Sequence, residues 1–125
     1  MSKHAGRKKR FQSGMVQFEA TEFYKIVKNQ SLNYGFSPLK SAIYATLALE
    51  ECMNDPATPD RLPYLSTIGI VALPEIERLQ PANDEEAAEK DDMLAAYYKN
   101  NKTSLHPLLD QWRKVQKELN KPQNS

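Results

Sequence analysis

Five of the first ten residues are bases, Lys3, Arg7, Lys8, Lys9 and Arg10, with His4 among them and no acid in the stretch. Ammonium and guanidinium groups clustered without a neutralising carboxylate attract polyanions, because each phosphate contact releases a condensed counterion. The remaining 115 residues hold twelve bases and sixteen acids, so a +5 tip is joined to a −4 body. The whole chain is only +1, so the asymmetry, and not overall basicity, points to nucleic acid. Phe11 follows the last of these bases and suits stacking on a nucleobase or wedging into a base step.

Other chemistries find few residues to use. His4 and His106 are the only histidines and Cys52 is the only cysteine, too few N and S ligands for a structural zinc and too few thiols for an internal disulfide. A lone cysteine fits a reducing compartment, and Cys52 reads as a small core residue rather than a nucleophile. The four glycines are scattered, so no phosphate-cradling loop is present. Ser104, His106 and Asp110 contain the residue types of a nucleophilic triad, but their spacing matches side-chain capping at a helix start. Glu85, Glu86, Glu89, Asp91 and Asp92 are spread around a helix and read as a solvated face. The sequence therefore predicts no enzyme, no cofactor and no metal site.

The longest apolar run, Ile68 to Leu73, is far shorter than the ~20 residues a spanning helix requires. No apolar segment follows the N-terminal charges as it does in a signal peptide. The expectation is a soluble, cytoplasmic protein, nuclear if the source or host is eukaryotic.

These residues need a scaffold, and 125 residues suffice for one domain. Residues 1–14 lack apolar periodicity and read as a flexible basic arm, 15–120 as a single helical domain, and 121–125 as a disordered tail. Val16, Phe18 and Ala20 alternate with Gln17, Glu19 and Thr21, the period of a short strand over Met15–Thr21 or of a lead-in to a helix capped by Thr21. Phe23, Ile26, Val27 and Tyr34 then recur at helical spacing, and Gly35 supplies a stop. Ser37 caps a second helix with Pro38 at its first position. That helix, running to Cys52 or Met53, is apolar around most of its circumference and predicts a central or dimer-interface element.

Pro56, Pro59 and Pro63 mark a loop over Asn54–Pro63. The next stretch reads as two short helices separated near Leu73. Asn83 caps a helix to about Tyr98 that buries Leu94 and one of Tyr97 and Tyr98, with Glu86 and Lys90 paired four residues apart. Ser104 caps the last helix, where Leu105, Leu108, Leu109, Trp112, Val115 and Leu119 form one stripe. Its two readings are packing on its own domain and binding of a partner or second copy. The fold class is mostly α, a bundle of about five helices with at most one short N-terminal strand.

Residues 15–53, in the order alternating segment, first helix, Gly35-Phe36-Ser37 turn and second helix, resemble a ribbon-helix-helix DNA-binding unit, and Ser41-Ala42-Ile43 resembles that family's pattern. The resemblance implies a dimer whose paired strands enter the major groove, with Gln17, Glu19 and Thr21 facing base edges. It also implies that the start of the second helix, Ser37 to Lys40, holds a phosphate. Tyr34-Gly35-Phe36-Ser37-Pro38-Leu39-Lys40-Ser41 is similar to a stretch of small phage late-transcription co-activators, which implies an RNA polymerase contact. Taken together, these features predict a small non-enzymatic nucleic-acid-binding or transcription-associated protein. The alternatives are an assembly protein of a virion or large complex and a helical protein–protein adaptor.

Overall fold

The helix with apolar residues all round is the axis of the molecule. A computed structural model of the chain describes residues 2–58, 61–99 and 105–120, with side chains from 18 in the first stretch and from 107 in the last. Among these residues the elements are α1 (Ser2–Tyr34), α2 (Pro38–Asn54), α3 (Leu62–Thr67), a π-helical turn (Ile68–Ala72), α4 (Leu73–Arg78), α5 (Asp84–Tyr98) and α6 (Leu105–Leu119). The α3, π and α4 segments follow without a break, so the expected bundle of about five helical rods is what forms. Thirteen of the seventeen α2 residues are buried, which is possible only because every other element packs against it. Leu39, Ile43, Leu47 and Leu49 are fully inaccessible, and each such side chain stabilises the fold by ~1.5–3 kcal/mol.

The expected strand over Met15–Thr21 is helical, as part of α1. Its alternation is overruled by the spacing of Ala20, Tyr24, Val27 and Ser31, which are four, three and four apart and all buried. Of the alternating trio only Ala20 is known to join the core, and Phe18 remains 66% exposed. A lone strand would also leave its backbone groups without partners, whereas a helix satisfies them locally. The basic arm expected to be irregular is likewise the start of α1. Its lysines, arginines and alanine are good helix formers, and a helix already nucleated by packing from Ala20 onward propagates through them despite Gly6 and Gly14.

Local chemistry sets the remaining boundaries. Gly35 adopts φ 121°, where a side chain would be strained. Phe36 N–H donates to Ser31 O at 3.0 Å and Gly35 N–H to Leu32 O at 3.1 Å, a Schellman end for α1. Ser37 caps α2 by accepting from Lys40 N–H at 3.1 Å, and Asn83 caps α5 by accepting from Glu86 N–H at 2.9 Å. The proline loop is shorter than expected, because Leu62 and Pro63 already belong to α3, where a missing N–H costs nothing.

The two short helices do meet at Leu73, but without a gap. Pro74 lacks an N–H and its ring crowds the carbonyl four residues back. The chain answers by widening to a π turn, in which Leu73 N–H donates to Ile68 O. Leu94 and Tyr97 are half-buried and Tyr98 is exposed. The expected Glu86–Lys90 pair does not form. Instead Lys90 Nζ donates to Glu77 O and Leu79 O, both at 3.0 Å, neutralising the carbonyl end of α4.

One polar clamp fixes α1 to α4. Glu75 accepts from Tyr24 Oη at 2.6 Å and from Lys28 Nζ at 2.9 and 3.1 Å. Burial raises the Glu75 carboxyl pKa, but the Tyr24 and Lys28 hydrogen bonds and the charges of Lys28 and Arg78 outweigh it and leave the pKa below its ordinary value. A folded-state pKa below the unfolded one gives stability that is present above the unfolded value and lost as pH falls through the folded one. Glu75→Gln should therefore cost ~1–2 kcal/mol at pH 7. The gap between the melting temperatures of wild type and variant should close as the pH drops below ~4. A gap independent of pH would remove the clamp's electrostatic role.

Candidate nucleic-acid interface

Lys3, Arg7, Lys8, Lys9 and Arg10 all lie in the first three turns of α1. A helix start bears a partial positive charge from its unpaired N–H groups, normally offset by an acid in the first turn. The first turn of α1 has none. The five bases and the helix dipole therefore add at one end of one rod. Among the described side chains of α1, Glu22 and Lys25 pair at 3.4 Å on its exposed side.

Gln17 and Thr21, expected beside Glu19 on one face of a ribbon, occupy a helix instead. Two residues apart on a helix, Thr21 and Glu19 fall about 160° from each other at ~100° per residue, and the side chain of Gln17 lies outside the described residues. The alternate-residue grouping is thus dispersed, and the described residues contain no strand to restore it.

At the start of α2, Ser37 and Lys40 are engaged from within. Glu86 of α5 places its carboxylate where the resemblance puts a phosphate: Ser37 Oγ donates to both its oxygens at 2.8 Å, and Ala82 N–H donates at 3.0 Å. One turn further on, Lys40 Nζ lies 2.6 Å from both oxygens of Glu89 and donates to Gln111 Oε1 at 3.2 Å. The lysine and glutamate side chains are only 10% and 8% exposed. The Lys40 ammonium also lies 5.3 Å from the Tyr44 ring centre. A helix terminus suited to an anion has received an internal one, and Ser37 and Lys40 form an interface between α2, α5 and α6, not a surface.

Sequence reasoning treated Glu86 and Glu89 as part of a solvated face, and both are buried. The signal available was their shared three-residue spacing with Ser37 and Lys40, which becomes informative only once α2 and α5 are adjacent. Asp84, Glu85, Asp91 and Asp92 do remain exposed on α5. Acids on a surface repel phosphate, so this face of α5 does not suit a polyanion.

Of the two readings of the α6 stripe, packing on its own domain and binding a partner, its described residues follow the first. Leu108 and Trp112 are core residues, and Leu109, Val115 and Leu119 pack against the core. Trp112 lies 5.8 Å from the Tyr44 ring. The side chain of Leu105 is outside the described residues, as are Ser104 and the side chains of His4 and His106. Asp110 pairs with Arg113 at 3.6 Å. Cys52 is half-buried in a groove of about 530 Å³ shared with Phe23, Trp112 and Arg113. Burial, then Asp55 and Glu51, push its thiol pKa up, the opposite of what a nucleophile needs.

Among the described residues no three His, Cys, Asp or Glu side chains gather as a metal site would require, and no helix is long and apolar enough to cross a membrane. No protein-family model, curated protein or solved structure matches the chain.

The Lys40 geometry separates a structural from a binding role. Lys40→Ala should strand a buried carboxylate and destabilise the fold by ~3–5 kcal/mol. Polyanion binding by the variant, measured below its melting temperature, should be unchanged. A loss of binding without a loss of stability would return Lys40 to the surface.

Proposed function

We propose that the chain is a non-enzymatic nucleic-acid-binding protein that grips the phosphate backbone with the basic start of α1. Transcription is the setting that the resemblance of residues 34–41 to phage late-transcription co-activators implies. The observation that supports this reading is the concentration of five bases, with no acid, at the positive end of one helix. Like charges and the helix dipole repel one another there, and a phosphate backbone relieves both costs at once. Ser37, Lys40 and the described residues of the α6 stripe are left out of it, since each is engaged by its own domain.

Five phosphate contacts on duplex DNA would give a log–log salt slope of about −4 to −5. Removing residues 1–10 should abolish most of the affinity and flatten that slope, while the melting curve of the body is preserved. Equal affinity in the full chain and the truncation would overturn the proposal.

Exposed apolar side chains support a second reading, a component of a larger assembly. Phe18 and Ile26 on α1 are 66% and 54% exposed, and Ile70 in the π turn is 67% exposed. Such residues on a soluble body suit self-association. Concentration-dependent growth of particle mass in light scattering, reduced by Phe18→Ser with Ile26→Ser, is the expected result of this reading. A monomer at all concentrations would exclude it.

A further inference from the structure

We infer that the outer face of the α3–π–α4 rod is a self-association surface, on which a second copy of the chain packs antiparallel about a two-fold axis at Gly69. The inference names the surface for the self-association reading above and does not depend on the nucleic-acid reading.

A helix on the outside of a bundle normally turns charged or polar residues to water, as α5 does with Asp84, Glu85, Asp91 and Asp92. The rod does not. Its exposed positions from Leu62 to Pro74 are Leu62, Leu65, Gly69, Ile70 and Pro74, and no charged residue lies anywhere in that stretch. Leu62 and Ile70 are 69% and 67% exposed, and Leu65 is 44% exposed. Single exposed apolar side chains are ordinary, but an uncharged stripe along a whole rod marks an interaction surface.

Gly69, at the centre of the stripe, points the same way. Glycine inside a helix is unfavourable by ~1 kcal/mol relative to alanine. Nothing within the fold requires it here. Among the described glycines only Gly35 has a positive φ, and a Cβ at Gly69 would meet nothing within 4 Å. The π turn does not demand it either, since its other residues are Ile68, Ile70, Val71 and Ala72. A missing side chain on an exposed helix face lets a second backbone approach closely.

The charges at the two ends choose the occupant. Arg61 and Glu77 are both exposed, and each lies eight residues from Gly69, ~12 Å along the rod in opposite directions. A stripe with a base at one end and an acid at the other is complementary to its own reverse. A second copy turned end for end over Gly69 sets its acid beside Arg61 and its base beside Glu77, so two ion pairs close one apolar contact. Glu77 accepts from Tyr98 Oη, which leaves carboxylate lone pairs for a guanidinium. A contact one helix wide is at the small end of stable interfaces, so the dimer is reversible, with a Kd on the order of micromolar.

The test is sedimentation equilibrium of the full chain over concentrations from ~1 to ~500 μM, with melting curves as the control for folding. The expected result is a monomer–dimer equilibrium. Gly69→Gln and Ile70→Lys should each weaken it ~tenfold or more while the monomer melts as wild type does. Arg61→Glu or Glu77→Arg alone sets like charges together at both ends and should also weaken it ~tenfold. An equimolar mixture of those two variants restores both ion pairs and should recover the wild-type affinity, as only the reversed arrangement allows. A monomer at every concentration would overturn the inference together with the self-association reading. A dimer indifferent to Gly69→Gln and Ile70→Lys would overturn this surface and leave that reading standing. Charge variants that dimerise as wild type does, or that mixing fails to rescue, would overturn the two-fold arrangement and the inference with it.

Discussion

Lys40 carries a full positive charge on a helix that the rest of the molecule encloses, and the arrangement of the bundle follows from neutralising it. Moving an ammonium out of water costs several kcal/mol unless a counter-charge and further acceptors meet it. Glu89 supplies the charge and Gln111 an acceptor, so α5 and α6 must both reach α2 at its first turn. Glu86 extends the same seam to Ser37, joining two helix starts through one carboxylate. Hydrophobic burial explains why the rods collect around α2. The ionic seam explains why they collect in this order, since exchanging α5 for another element would leave a charge buried alone.

Much of the backbone was legible from residue types. Ser37-Pro38, Asn83 and Gly35 act locally, through caps and a turn conformation that need no tertiary partner, and each boundary falls at or next to its expected place. The apolar circumference of α2 likewise implied its central position. Features that depend on neighbours were not legible. Val16, Phe18 and Ala20 alternate as a strand would, and only the continuation through Tyr24, Val27 and Ser31 against α2 decides for a helix. Glu86 and Lys90 are well spaced for a pair, yet each has a better partner on another helix. The π turn was hidden for a similar reason: Pro74 announces a disturbance, but the packing on either side determines whether the helix stops or widens.

Of the site, the basic tip could be read directly because charge clustering is a property of sequence. Its helical form could not, because an isolated arm of that composition has no packing to nucleate it. Ser37 and Lys40 illustrate the reverse error. Both residues are of the right type for an anion site, but the anion that occupies it comes from α5, 49 residues away in each case. Residue type identified the chemistry and tertiary contact identified the customer.

The π turn gives the molecule one place where a helical segment can lose a residue and keep its register. A π turn holds one more residue than the α-helical turn it replaces. In a plain α-helix the loss of one residue turns everything after it by ~100°. Here the loss of Gly69 or Ile70, both exposed, would let the π turn close to an α turn that covers the same rotation. Glu75 would keep its side toward Tyr24 and Lys28, and the carbonyls that Lys90 covers would stay near it. Chains descended from this fold should therefore accept a one-residue deletion between Ile68 and Ala72 more readily than one inside α2 or α5.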